Sequence, residues 1–410
     1  MTRPSPTAWR VVWWFGFVSL AADMVYEGAR SVYGPLLAAL GASAVVVGLV
    51  TGAGEAVALV LRLAFGPIAD RTGRYWTLTI VGYGLTAICV PLLAIAPRLG
   101  VAGLGFATTM ILLERLGKAV RSPSKSALLA QAASGVGRGR GFGVHKALDQ
   151  VGAFAGPLVV AGVVAISSLW AGMAVLAVPG AIAMVLLVAL RRRVPDPGVY
   201  DVAPAPPRPG AGERRGWWAE AVGAGLSGDF FRYAVAASLT TGALVTFGII
   251  GYHLTVEGLL PVAAVPVLYA AAMGVEAVAA LVVGAVYDRA GPRVLLVVPF
   301  LVALVPALAL GSALVAVFAG VLAWGVAQGV QDSTVKAVVA DLVEAPRRAT
   351  AYGVFAGIQG LLAIVGGVGA GWLYERSLVA LVVVVALTQL VALGLLLDTF
   401  RRSARLHPAG

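Results

Sequence analysis

The stretch Gly66-Pro67-Ile68-Ala69-Asp70-Arg71-Thr72-Gly73-Arg74 closes an apolar run and recurs 218 residues later as Gly284-Ala285-Val286-Tyr287-Asp288-Arg289-Ala290-Gly291, followed by Pro292 and Arg293. The two glycines, the aspartate and the arginine keep their spacing. Further along, an offset of 210 pairs Ala127 with Ala337, Ala130 with Ala340, Arg138 with Arg348, Phe142 with Tyr352, Gly143 with Gly353 and Gly156 with Gly366. Matches at two offsets, in the same order along the chain, describe a sequence built from one unit used twice.

The solvent of that unit is lipid. Of 410 residues 60% are apolar and 12% charged, about half the charged fraction of a soluble domain. A membrane helix takes roughly 20 apolar residues, so twelve use about 240 and leave short loops. Hydropathy places spans at 10–39, 45–68, 76–96, 101–131, 140–166, 170–190, 219–253, 261–285, 294–310, 313–342, 351–373 and 378–399. The first run carries Asp23, Glu27 and Arg30 and is too long for a cleaved leader, so it reads as a retained helix. Between the sixth and seventh spans, residues 191–216 open with Arg191-Arg192-Arg193 and hold six prolines. That composition reads as a flexible linker, dividing the chain into 1–190, 191–216 and 217–410.

The net charge of +11 is distributed by side. Nineteen of the 30 Lys and Arg residues fall in the tails and alternate loops, whereas the intervening loops hold only Arg98 and Arg376. Arginine-rich loops face the cytoplasm, so both termini and the linker are expected there, in a cell (inner) membrane. Cys89 is the sole cysteine, and no His-Glu-x-x-His run, phosphate loop or Cys/His cluster occurs. The reading is therefore a non-enzyme without cofactor, metal or nucleic-acid partner.

Gly-x-x-x-Asp-Arg-x-Gly-Arg at 66–74 resembles the loop between helices two and three of the major facilitator superfamily, and 284–293 resembles its counterpart between helices eight and nine. The likeness extends over the whole chain through helix count, linker and repeat. It implies an all-α fold of twelve transmembrane helices in two six-helix repeats, with a substrate site near the midplane between them. It further implies that Gly66, Asp70, Arg71, Gly73 and Arg74, with Gly284, Asp288, Arg289, Gly291 and Arg293, form cytoplasmic gating loops. Read from the residues alone, the glycines allow close helix approach and the aspartates can face a neighbouring helix N-terminus. A plain turn with inside-facing arginines is the other reading.

The fifth span spaces Gly143, Gly152 and Gly156-Pro157 as Gly-x8-Gly-x3-Gly-Pro, which resembles the motif of prokaryotic efflux members that exchange substrate for protons. Val160-Ala161 stand where that pattern has glycines. Gly152 and Gly156 also read as a smooth packing strip and Pro157 as a kink. The resemblance puts helices one, four, seven and ten around a central cavity, and charges inside a membrane mark pathways or partners. Helix one offers Asp23, Tyr26, Glu27 and Arg30; helix four Arg115 and Lys118; helix seven Asp229, Arg232 and Tyr233; helix ten Gln328, Gln331, Asp332 and Lys336. Same-helix spacing pairs Glu27 with Arg30, Glu114 with Lys118, Lys146 with Asp149, Asp229 with Arg232 and Asp332 with Lys336. Arg121 and Lys125 read as snorkelling toward the cytoplasm. His145 near that side and His253 near the outer end of helix seven read as packing residues.

What remains unneutralised is Asp23, Glu55, Glu276, Arg62 and Arg115. Asp23 is the expected proton carrier, Glu27 its tuner and Arg115 an alternating partner, with Glu55 and Glu276 next in line. A static pair holding helices one and four fits the same residues. The expectation is a monomeric secondary transporter that moves a small solute by alternating access, by proton-coupled antiport in the export direction. A proton-coupled importer of an organic anion or chelate, or a lipid-moving member of the same fold, is the alternative.

Overall fold

The computed structural model describes residues 7–200, 226–344 and 347–406, except the side chains of Arg138, Asp288, Ala290, Lys336, Ala337, Ala340, Asp341, Ala349 and 403–406. Most of the 191–216 segment thus lies outside the described residues. The described chain is helical, with α1 Ala8–Arg30, α2 Tyr33–Ala39, α3 Ala44–Thr72, α4 Tyr75–Leu92, α5 Gly103–Ser134, α6 Arg138–Ile166, α7 Leu169–Val175 and α8 Ala177–Arg193. After the linker come α9 Gly228–Ala243, α10 Phe247–Val256, α11 Ala264–Ala290, α12 Val298–Ala309, α13 Leu314–Leu342, α14 Arg348–Arg376 and α15 Leu378–Leu406.

Among the described residues eleven stretches are long and apolar enough to cross a membrane. One of them, Tyr75–Ser134, runs for 60 residues and contains both α4 and α5. These two are joined by a 3-10 segment in which Gly100 takes the non-helical φ of 54°. A Cβ at Gly82 would meet the Gly117 carbonyl, and one at Gly117 would meet that of Gly82, so α4 and α5 form an antiparallel hairpin. The stretch therefore crosses twice, which makes twelve crossings among the described residues. Three of them are interrupted. Pro35 lacks the N–H and crowds the carbonyl four residues back, which separates α1 from α2 at Ser31 and Val32. Pro179 stands in the same relation to Val175, where α7 ends. Between α9 and α10 the chain extends at Leu244, and the Thr246 hydroxyl caps α10 by accepting from the Ile249 N–H at 3.4 Å.

Packing gathers the described helices into two compact units. The first takes Met1–Val32, Leu61–Glu213 and Val262–Ala270; the second takes Tyr33–Val60, Arg214–Pro261 and Ala271–Gly410. These units differ from the sequence halves at 33–60 and 262–270, for a physical reason. In the second unit small residues of α3 press on α14: a Cβ at Gly52 would run into the Ala363 carbonyl, and Gly48 and Gly367 stand backbone to backbone. Gly34 likewise abuts Gly248 and Tyr252. Without a hydrophobic drive between helices in lipid, such close backbone approach is what holds them together. In the first unit, Tyr269 is fully buried and donates its hydroxyl to Glu27 at 2.5 Å.

Candidate functional site

In the first unit α6 lies directly against α1. A Cβ at Gly152 would overlap the Leu20 carbonyl, and one at Gly156 that of Met24. The glycine strip therefore brings two backbones together on either side of Asp23. There the Asp23 and Asp149 carboxyls come within electrostatic reach of each other. The buried Ser19 hydroxyl donates to Asp149 Oδ1 at 2.5 Å. Lys125 Nζ, from α5, reaches Ser19 Oγ at 3.4 Å, and exposed Lys146 stands 3.5 Å from Asp149 Oδ2. His145 is buried one turn before Asp149, and its Nε2 makes no hydrogen bond among the described residues.

A second cluster follows one turn along α1. Arg115 is 2% exposed, donates to the Tyr26 hydroxyl and lies 3.5 Å from Glu114 Oε2. The guanidinium carbon sits 4.8 Å from the Tyr26 ring centre, and Lys118 Nζ sits 3.8 Å from it. A cation this near an aromatic ring exploits its negative quadrupole, worth up to about 2 kcal/mol when desolvated. Glu114 is fully buried, and neither of its oxygens accepts a hydrogen bond among the described residues. Glu27 answers Arg30 at 3.7 Å besides accepting from Tyr269.

Sequence spacing predicted the Glu27–Arg30, Lys146–Asp149 and Asp229–Arg232 contacts. It mispaired Glu114, whose cation is its neighbour Arg115, while Lys118 turns to Tyr26. Arg121 and Lys125 do not snorkel. Arg121 is buried, donates to Thr86 at 2.6 Å and covers the Tyr83 ring, and Lys125 reaches Ser19. Same-helix spacing pairs Asp149 only with Lys146 and gives Lys125 no protein partner, so the contacts of Ser19 with Asp149 and Lys125 are not legible from it. The available signal was the Gly152–Gly156 strip, which fixes what α1 faces.

Elsewhere the predicted residues disperse. Glu55 on α3 and Glu276 on α11 are partly buried, and the Glu276 carbonyl closely faces Gly329 of α13. Arg232 bonds Asp229 at 2.6 Å and lies 3.8 Å from Asp398, which also binds Arg402 at 3.0 Å. Tyr233 is buried, donates to the Val335 carbonyl at 3.0 Å and stacks on Phe355. Gln331 accepts from Thr241 at 2.7 Å, Gln328 is partly buried and Asp332 is exposed. The Lys336 and Asp288 side chains lie outside those described. His253, buried in α10, contacts the Tyr374 hydroxyl at 2.9 Å.

The signature loops share a conformation: Gly73 and Gly291 take φ of 63° and 64°. Asp70 accepts from Tyr75 at 2.9 Å, and Arg71, Arg74, Arg289 and Arg293 are exposed. Among the described residues the close approach expected at Gly66 and Gly284 is absent. A Cβ at Gly66 would meet only Pro123, at 4.0 Å, and one at Gly284 nothing within 4 Å.

The family model described as Major Facilitator Superfamily matches residues 15–366 and 260–409. The chain belongs to the major facilitator superfamily. An uncharacterized protein of Mycobacterium tuberculosis is 49% identical over 400 residues, covering 96% of this chain and 93% of that one. An uncharacterized MFS-type transporter of Methanocaldococcus jannaschii is 28% identical over 145 residues, 35% of each chain. Among solved structures, a mutant of the nucleoside transporter NupG aligns with a TM-score of 0.76 at 14% identity, over 95% of this chain and all of that one. A POT family transporter aligns at 0.73 and 13%, over 97% and 96%. At such identities the likeness shows the fold. Membership makes the protein a multi-pass membrane transporter of small molecules rather than an enzyme.

Proposed function

We propose that this superfamily member exports a small solute in exchange for protons, with both termini and residues 191–216 on the cytoplasmic side. The observation that carries the reading is the seating of Gly152 and Gly156 on Leu20 and Met24. The helix-five motif thereby rests on the stretch of α1 that holds Asp23, Tyr26 and Glu27, so a rigid-body movement of α1 against α6 is felt at once by the ionisable groups. In this reading Asp23 carries the proton, Glu27 tunes it, and Arg115 exchanges Tyr26 and Glu114 for a carboxylate in another state. Tyr26, Arg30 and Lys118, with Asp229, Arg232, Tyr233, Gln328, Gln331, Asp332 and Lys336, contribute to the solute pathway, and Asp70 and Asp288 to cytoplasmic gating. The inside-positive arginine bias supports the orientation.

An accumulation screen comparing cells with and without the protein identifies the solute; right-side-out vesicles then give the direction. Under an inward proton gradient the solute should leave loaded vesicles faster with the protein than without it. Gradient-driven uptake would overturn export.

A lipid-moving reading is favoured by one feature, an apolar cavity of 590 Å³ in the first unit lined by Trp14, Phe17, Met24, Val159 and Ile182. Purified protein that moves labelled lipid between leaflets but no soluble solute would select it.

A further inference from the structure

We propose that the apolar cavity between α1, α6 and α8 is a resident site for one anionic phospholipid, which lays an acyl chain inside it and its phosphate on Arg193. The assignment stands apart from the exported solute and from its protons.

The cavity follows from how the helices are pinned. At one end Gly172 of α7 seats on α6, where an added Cβ would overlap Val164 and crowd Val160. Beyond the break at Pro179, α8 packs on α1 and α4, away from α6, with Gly180 against Ala87. Meanwhile α6 stays on α1 through Gly152 and Gly156. The two arms diverge from their joint and leave α1 as a floor between them. Trp14, Phe17 and Met24 line that floor, with Val159 and Ile182 on the walls of the 590 Å³ space. Phe17 and Ile182 are each about half exposed, so in a bilayer the space opens to lipid. Trp14 and Met24 are ten residues apart, about 15 Å of helix, which is half of a hydrocarbon core about 30 Å thick. That is the depth of one leaflet, and the reach of one acyl chain.

The headgroup is chosen at the arginine-rich end. Arg193 closes α8, and its guanidinium carbon lies 4.9 Å from the Trp14 ring centre. It is exposed and makes no ion pair or hydrogen bond among the described residues. Its five N–H donors therefore stay open to a phosphate, which a guanidinium takes in bidentate fashion. Exposed Arg10 lies one turn before Trp14 on the same face of α1, and exposed Arg191 and Arg192 adjoin. The carboxylate nearest in sequence, Asp196, accepts from the Gly198 N–H at 2.8 Å. Basic pockets between membrane helices on the cytoplasmic side bind anionic headgroups, and tryptophan sits at headgroup level. Among the described residues the lining holds no ionisable side chain. It offers no polar lane by which a headgroup crosses, so the lipid stays where it binds.

The test is native mass spectrometry of the purified full-length protein, equilibrated in detergent with equal amounts of phosphatidylglycerol and phosphatidylcholine. One phosphatidylglycerol should remain bound with a roughly tenfold preference, the worth of a charge-assisted hydrogen bond. Arg193→Gln should lose that preference and Arg193→Lys should keep part of it, since lysine retains the charge without the fork. Val178→Trp, which fills the cavity mouth from α8, should lose lipid of either headgroup. Arg376→Gln removes the cation 4.3 Å from the Trp372 ring centre and should change nothing. Equal retention of the two lipids, or a preference that survives Arg193→Gln, overturns the site. So does movement of labelled phosphatidylglycerol between leaflets that Val178→Trp abolishes, because the cavity would then be a route.

Discussion

The contact between α1 and α6 has a twin in the other half of the chain, between α9 and α14. Gly156 stands against Met24, and Gly366 against Gly242. The offsets are 210 for the second partner and 242 minus 24, or 218, for the first, the same two that relate the repeats in the sequence. Under them Asp23 corresponds to Thr241 and Asp149 to Gln359, and Gln359 Nε2 donates to Thr241 Oγ1 at 3.2 Å. Ser19, Lys125 and His145 correspond to Ala237, Val335 and Phe355. One backbone arrangement therefore recurs in both halves, with acids and a cation beside it in the first and hydrogen-bonded neutral groups in the second. The second half is a control written into the molecule. It holds the contact together without charge, so the charges of the first half are not there merely to hold it.

The strongest way to break the comparison is through the backbone contact that both halves share. Gly156→Leu and Gly366→Leu each place side-chain atoms where a carbonyl already sits, and relief requires the helices to part. Overlap with backbone puts such changes in the class that costs more than about 4 kcal/mol. Both variants should lose nearly all detergent-stable, monodisperse protein. Recovery of one at wild-type yield would mean that the two contacts are not equivalent.

The shared contact was legible in the sequence, and the contents of the site less so. Helix number, the repeat and the membrane setting follow from hydropathy and from Gly66–Arg74, because each helix must bury its own backbone in lipid and so announces itself by length. The breaks at Pro35 and Pro179 follow from proline chemistry. Asp149 and Lys125 were misread because same-helix spacing offers each a plausible local partner, and spacing carries no information about which helix lies opposite. The Arg115–Glu114 contact escaped for a related reason: adjacent residues on a helix do not share a face, yet a long guanidinium folds back when Tyr26 draws it inward.

That buried ion pair gives the next largest effect. Its positions at offset 210 are Trp324 and Gly325, where the second half uses an indole that donates to the Val245 carbonyl at 2.9 Å and no charge at all. Arg115→Leu strands the fully buried Glu114 carboxylate and should destabilise the protein by about 3–5 kcal/mol, whereas removing both charges is often near neutral. Thermal unfolding in detergent should therefore rank Glu114→Leu/Arg115→Leu well above Arg115→Leu alone. A double variant as unstable as the single would show that the guanidinium matters through Tyr26 instead.

The smallest effect comes where the halves agree most closely. Gly73 and Gly291 adopt left-handed φ values one degree apart, and at neither would a Cβ meet an atom of the described residues within 4 Å. Substitution by alanine therefore costs only the conformational penalty of a side chain in that region, about 1–2 kcal/mol. The Gly73 N–H donates to the Ala69 carbonyl at 2.9 Å, which closes α3. Asparagine tolerates the left-handed region better than alanine, so Gly73→Asn and Gly291→Asn should recover part of the loss. Melting temperatures should fall by equal amounts for Gly73→Ala and Gly291→Ala and by less for the asparagine variants. Equal, small and partly rescued shifts would tie both glycines to backbone conformation alone and leave gating to Asp70 and its neighbours. A much larger loss at Gly73 than at Gly291, with no rescue by asparagine, would instead give the first loop a packing role that its twin lacks.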